Sequence, residues 1–534
     1  MNTTQLTPST TSAITAPRTS EREAGKLLRE PTEEEWQDYF VNERINDRGV
    51  KIDRQLAAGA QTYAKVEEAE LVGKIQLLTE GAVEKARGEK LKEWVMARLG
   101  EDQLRIMRKH TTKDGVKVVK YSLDKYIRQR LLGEDLDPLV AEVIECSDFA
   151  QKSSVSKFGA MLLRAHSQTN RVCGAFMANG ASGTGRYSSK GLQVHNFTRN
   201  GMGDMQGEAI DDIADKIMPE DIRDYFKLPI MDILSRLLRA ALVPQKGNVF
   251  LVADYAAIEG RVAPWLTKTR TGDAKVAMYA NNEPVYEITA AGTFRCKVEA
   301  VTKGQRQIGK VQELAFQFGG GGNAYMAMAR NYGLKTTGSE AEMYKDAWRE
   351  LNPWAQEMWK RIESAAFNAV RSPGTQFVVG RLNYFAVENV LGYALTLFCE
   401  LPCGRVLTYP DVKVGQKKAP WGDMVPSMSC MRSGWTPKQG EKAWPRGPLY
   451  GGLMFENAVQ GTAASLLRDA LWQCDDQGLP VVLHVHDEVV LEVFANADAD
   501  HAAVKLRDIM NTAPEWADGL PLAAEVDEML RYGK

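Results

Sequence analysis

Two short apolar runs, each meeting an acid, constrain this chain more than any other feature. VFLVADY (249–255) reads as a buried strand that ends on Asp254 and Tyr255. LPVVLHVHDEVVLEV (479–493) reads as two strands that reverse at His486, Asp487 and Glu488. Helical patterns fill much of the chain before and between them. A sheet containing both runs must therefore be assembled from distant segments. That order suits an α+β fold better than a regular βαβ array.

The chain has 534 residues, which exceeds one ordinary domain. At roughly 100–200 residues per domain, about three structural units are expected. Hydrophobic residues make up 44% and charged residues 25%, so wholesale disorder is excluded. No apolar run approaches the ~20 residues needed to cross a bilayer, and MNTTQLTPST lacks the features of a secretory signal. The seven cysteines are scattered without a C-x-x-C pair. Reduced thiols in a cytoplasmic protein are the expectation. The formal charge of −2 excludes a uniformly basic coat, but it leaves room for one basic face.

Residues 1–30 are rich in Thr, Ser, Ala and Pro and read as a flexible tail. PTEEEWQDYF, from Pro31, opens a helix with acids in its first turn. Residues 54–100 read as a long amphipathic helix, with Leu71, Ile75 and Leu78 at helical spacing. Between Glu101 and Arg130 nine basic residues face four acidic ones, a local excess of +5. Arg105, Arg108 and Lys109 open that stretch, which suits either a solvated surface or one that tracks phosphates. Residues 304–318 and 339–370 read as helix, and 411–449, with Trp421, Trp435 and Trp444, as a packed peripheral hairpin.

Four segments carry chemistry. In DYAAIEGR (254–261) a strand end presents Asp254, which suits a metal ligand and equally a helix cap. In VHDEVV (485–490) Asp487 suits a polar turn. Two carboxylates on neighbouring strands, however, can hold two divalent cations ~3.5–4 Å apart, and Mg²⁺ is the natural ion beside phosphates. In RQIGKVQELAFQF, Arg306, Lys310, Leu314 and Phe318 recur every four residues. That stripe is cationic at one end and apolar at the other, which suits a nucleoside triphosphate and equally a surface helix whose Leu and Phe face the core. The glycines that follow (319–322) are not a P-loop, because no GK[ST] follows. GASGTGRY (180–187) is also no Walker A motif, since Arg186 replaces the Lys and Tyr187 the hydroxyl residue. TGRYSSKGLQVHNFTR (184–199) instead offers donors to minor-groove acceptors and phosphates.

Taken together and in order, these segments resemble the family A DNA polymerases, most closely the bacteriophage variety. DYAAIEGR is similar to that family's motif A, RQIGKVQELAFQFGGG to motif B, VHDE to motif C, and TGRYSSKGLQVHNFTR to the segment before motif A. ELPCGRVLTYP (400–410), YGGLMFENAVQGTAASLLRDAL (450–471) and RINDRGVKID (44–53) also fit. The resemblance spans about residues 36–530. It implies a right-hand fold with an antiparallel β-sheet palm, helical fingers and a helical thumb. Residues 31–175 would form an N-terminal helix and thumb, 176–265 and 396–534 the palm, and 266–395 the fingers.

The resemblance also implies roles. Asp254 and Asp487, with the carbonyl of Tyr255, would hold two Mg²⁺ ions. Arg306 and Lys310 would grip the dNTP, with Lys310 as the acid for pyrophosphate, and Leu314 and Phe318 would flank the base. Glu259 would be the steric gate at the sugar 2′ position. Arg186, Asn196, Asn457 and Gln460 would feel the minor groove of primer–template DNA, and His486 the primer end. Arg105, Arg108 and Lys109 would hold the duplex backbone. Departures from the family pattern fall at Ala256, Ala257, Gly260, Thr198, Leu314 and Phe318, the last two putting dideoxynucleotide behaviour and a hydroxyl contact in doubt.

Full-length relatives carry a 3′–5′ exonuclease domain ahead of this module. Only about 35 residues precede it here, so no proofreading is expected on this chain, and any exonuclease would be a separate partner. Two rival readings are a single-subunit RNA polymerase, which Glu259 disfavours, and an inactive DNA-binding scaffold. The scaffold would have no reason to keep Asp254, Arg306, Lys310 and Asp487 together.

Overall fold

The computed structural model describes residues 32–113, 116–181, 183–390, 392–418, 422–431 and 445–533, with only the backbone of 110–113 and 116–118. The expected tail (1–30) and Trp421, Trp435 and Trp444 lie outside the described residues. The chain forms two compact units. One gathers the chain up to Arg48, Phe176–Lys190 and Leu251–Glu528, and the other Gly49–Ala175, Gly191–Phe250 and Met529 onward.

The first unit contains a four-stranded sheet made of β1 (Asn248–Tyr255), β2 (Val481–Val485), β3 (Glu488–Phe494) and β4 (Ala524–Met529), in the order β2-β3-β1-β4. The two acid-bearing runs are thus neighbours, as the sequence suggested. Antiparallel β2 and β3 join through His486 and Asp487, with Val485 opposite Glu488. Such a two-residue hairpin loop favours positive φ, and His486 takes φ +60°. Three helices matter for the site: α1 (Ile258–Thr267), α2 (Lys303–Phe316) and α3 (Gly451–Asp476). α3 is buried on nearly every side and packs against α1, β2 and β3, as expected of a helix through a core.

Three local expectations are corrected in this unit. The 304–318 helix ends at Phe316, which leaves Phe318 in a turn before Gly319 at φ +81°. The 339–370 helix is two helices, Gly338–Leu351 and Pro353–Arg371. Pro353 starts the second because its missing N–H costs nothing at a first helical position. The described residues between 411 and 449 include a three-stranded antiparallel sheet, Lys413–Lys418, Met424–Met431 and Arg446–Leu449, one strand more than a hairpin. A further four-stranded antiparallel sheet spans Phe377–Tyr409.

The second unit is mainly helical. Its longest helix, Arg54–Leu78, starts at Asp53, whose carboxylate accepts from the Leu56 N–H at 3.0 Å. It packs on Pro138–Ala150 and Lys157–Arg164. The expected continuous helix to residue 100 is broken. Gly81 and Gly88 take positive φ between Leu78 and the next helix, Glu89–Met96, a conformation glycine adopts at little cost. The break lets Leu91, Trp94 and Val95 turn onto Ile75, Val140, Val143 and Ile144. Among the described residues no helix is long and apolar enough to cross a membrane.

Candidate active site

β1 buries Val249 to Ala253 and Tyr255 but exposes Asp254. Packing therefore fixes the strand and leaves one carboxylate at its end. The Tyr255 N–H donates to the Asp487 carbonyl at 3.2 Å, which sets Asp254 beside the β2–β3 turn. The next N–H, of Ala256, donates to the Ala523 carbonyl at 2.7 Å. Ala257 then takes φ +50° to start α1, a left-handed conformation costly for any residue with a Cβ. Arg261 closes that bend, donating to the Ala256 carbonyl at 2.7 Å and to the Pro521 carbonyl at 3.1 Å. Burial pushes the Tyr255 phenol well above its ordinary pKa, so it acts as a packing group. Among the described residues no cluster of three or more His, Cys, Asp or Glu is built to hold a metal. What the strand ends offer is two carboxylates and backbone carbonyls.

α2 has two faces. Thr302 and Gln305 make a capping box at its start. On one face lie Arg306, Lys310 and Leu314. Arg306 pairs with Glu287 at 2.7 Å and lies 5.5 Å from the Tyr286 ring centre. Lys310 stands 5.4 Å from the Tyr332 ring centre. The other face is buried and polar. Glu313 accepts from Lys275 at 2.9 Å, Thr289 at 2.5 Å and the Trp348 indole at 3.2 Å. Gln312 donates to the Tyr344 carbonyl at 2.9 Å. These anchors set the rotation of the helix, and hence where Arg306 and Lys310 point. The sequence reading did not find them. Phe318 sits edge-on to Phe455 of α3 at 6.1 Å, and a Cβ on Gly452 would come within 2.4 Å of the Phe318 carbonyl.

Arg186 and Glu259 form an ion pair at 2.7 Å, each about a quarter exposed (27% and 25%). The loop that carries Arg186 is clamped by the buried Arg405, which donates to the Thr184 carbonyl at 2.8 Å and the Gly461 carbonyl at 3.4 Å. Arg405 lies in the ELPCGR segment, and its role also escaped the sequence. On α3, Gln460 donates to Glu456 one turn earlier at 3.4 Å. Asn457 donates to the Tyr409 hydroxyl at 3.3 Å. Burial first, then the charge of Glu259, push the Glu456 carboxyl above its ordinary pKa, against the pull of Arg186. Arg186, Glu259, Glu456 and Gln460 thus form one electrostatic group.

The remaining expected residues lie in the second unit. Asn196 is exposed on a short turn (Val194–Asn196) and lines a cleft of about 830 Å³ with Lys152, Lys157 and Arg236. Arg105 pairs with Asp102 at 3.1 Å, Arg108 with Glu101 at 3.9 Å, and Lys109 with Asp124. Arg128 of the same basic stretch is buried and bound to Asp148 at 2.9 Å, so it stabilises the fold.

The sequence profile of DNA polymerase family A matches residues 61–372, more than half of the chain. That span includes Arg186, Asp254, Glu259, Arg306 and Lys310 and stops before Asp487. The DNA polymerase of Bacillus phage SP02 is 31% identical over 93% of this chain and 70% of that protein. DNA polymerase I of Pseudomonas aeruginosa is 26% identical over 50% of this chain and 23% of that protein. Among solved structures, the POL domain of Pol1 from M. smegmatis, in complex with DNA primer-template and dNTP, matches with a TM-score of 0.60 at 15% identity. That match covers 93% of this chain and 70% of the other and bears on the fold. The chain belongs to DNA polymerase family A. It is a template-directed DNA polymerase.

Proposed function

We propose that the chain extends a primer 3′ end with dNTPs at the strand-end acids of the first unit, in the replication of phage DNA. The observation that carries this reading is the Tyr255 N–H to Asp487 carbonyl bond at 3.2 Å, which brings together two acids far apart in the sequence. Asp254, Asp487 and the Tyr255 carbonyl would hold divalent cations, Mg²⁺ by its preference for oxygen ligands and phosphates. When bound, these ions activate the primer hydroxyl and stabilise the leaving oxygen. The exposure of Asp254 on an otherwise buried strand fits that task.

The chain's own residues bind and orient. Arg306 exchanges Glu287 for the triphosphate, and Lys310 donates to the pyrophosphate side as the bond breaks. Leu314 and Phe318 flank the incoming base. Glu259 stands where a ribose 2′-hydroxyl would need space. His486 meets the primer end from the β2–β3 turn. Arg186, Asn196, Asn457 and Gln460 read the minor groove. Arg105, Arg108 and Lys109 track the duplex backbone from the second unit, which takes the part of the thumb.

Primer extension on a primed template with Mg²⁺ tests this, with dNTPs against rNTPs and with Asp254→Ala and Asp487→Ala as controls. Extension by dNTPs alone, lost in both variants while they still bind DNA, is the expected result. Extension that survives either substitution refutes the assignment of the acids. No extension by intact wild-type chain that binds DNA refutes the reaction itself.

A further inference from the structure

A carboxylate beside a sugar has two characters. Its bulk excludes a 2′-hydroxyl, but its lone pairs are strong acceptors that would welcome one. A hydroxyl bonded to an ionised acceptor gains roughly ten- to a hundredfold in affinity. Glu259 can therefore exclude ribose only if its oxygens are already engaged and its rotamer is fixed. Arg186 has the geometry, with its Nη2 lying 2.7 Å from Glu259 Oε1. The guanidinium is itself held, because Arg405 ties Thr184 and Gly185, the two residues before it, to the α3 carbonyl of Gly461. Glu456 adds a second carboxylate in range of both.

We propose that Arg186 is a sugar-specificity residue: it pins the Glu259 carboxylate and fills the acceptor that a ribose 2′-hydroxyl would otherwise use. This rests on the reading of Glu259 as the sugar gate. Arg186 acts here as a positioning residue, through Glu259, besides any contact it makes with DNA. The fork geometry matters, since a guanidinium fixes a carboxylate more rigidly than an ammonium does.

The test is single-nucleotide insertion by the full chain on a primed template. The ratio of kcat/KM for a dNTP over the matching rNTP is measured for wild type, Arg186→Ala, Arg186→Lys, Glu259→Ala and the Arg186→Ala/Glu259→Ala pair. Arg186→Ala is expected to lower the ratio about tenfold, with Arg186→Lys recovering part of it. In the Glu259→Ala background the same change should move the ratio less than about twofold. The ratio is internal to each variant, so partial misfolding or weaker primer binding cancels. If Arg186→Ala is too slow to measure, Arg186→Lys supplies the same comparison. A ratio unchanged by Arg186 substitution, while Glu259→Ala collapses it, overturns this inference and leaves the gate standing. A ratio unchanged by Glu259→Ala overturns both. An equal fall with and without Glu259 overturns the route through that residue.

Discussion

Replacing Lys275 with Met tests how α2 is held in place. Lys275 and Glu313 meet at 2.9 Å with side chains only 8% and 6% exposed. Deleting one partner of such a pair leaves an uncompensated buried charge, at a cost of ~3–5 kcal/mol. Glu313 would keep two neutral donors, Thr289 and Trp348, which places Lys275→Met near the low end, about 3 kcal/mol. Two compact units make global two-state unfolding an unsafe measure here. Hydrogen exchange of the α2 amides reads the local opening directly. A loss of about 3 kcal/mol speeds their exchange roughly a hundredfold. The double change Lys275→Met/Glu313→Gln should recover much of it, because a neutral amide oxygen still accepts from Thr289 and Trp348 and no charge is left buried without its partner. Wild-type exchange in Lys275→Met refutes the reasoning, as does a double variant that opens as readily as the single one.

Three further outcomes follow from the same structure. Gly309→Ala would drive its Cβ to 2.2 Å from the Tyr286 carbonyl, so it should push α2 off its neighbouring helix and lower its local stability by about 1–3 kcal/mol, read as faster hydrogen exchange of the α2 amides. Arg405→Met removes the donor shared by the Thr184, Gly185 and Gly461 carbonyls; about 2 kcal/mol of destabilisation is expected, with faster proteolytic cleavage near Thr184. Glu456 has a raised carboxyl pKa, owing first to burial and then to the charge of Glu259. Its neutral form is favoured on folding, so its stabilising contribution is complete below the ordinary carboxylate pKa and is lost as pH rises through the raised one. Glu456→Gln should therefore gain in melting temperature relative to wild type across that window, and a pH-independent difference would count against the shift.

What the sequence made legible was local. An apolar run ending in Asp254 needs no knowledge of the fold to read as a strand that presents a carboxylate. Arg306 and Lys310 share a helix face because four residues make about one turn. Gly81 and Gly88 were also legible as helix breakers, and the long-helix reading of 54–100 passed over them. The anchors Glu313, Arg405 and Arg261 are another matter. Each is a charged residue inside a motif, and charged residues are rarely fully buried unless paired. Their partners, Lys275, Thr184 and Pro521, lie far off in sequence, so nothing local marks them as structural.

The choice between Asn457 and Glu456 shows the limit most clearly. A surface helix announces its inward face through a stripe of apolar residues at helical spacing. α3 is buried almost all round, from Gly451 through Cys474, so its pattern has no such stripe and the face turned toward Arg186 cannot be read from it. One step along a helix rotates a side chain by about 100°. That rotation is the difference between Asn457, which reaches the Tyr409 hydroxyl, and Glu456, which lies one turn from Gln460 and within the field of Glu259 and Arg186. Asn457 was expected at the minor groove through the family resemblance, which says nothing of Glu456. Glu456 joins the site through packing, which decides which side chains share a charged group. In a helix without an exposed face, the residue that shares the site's charge balance can be named only after the neighbouring elements are in place.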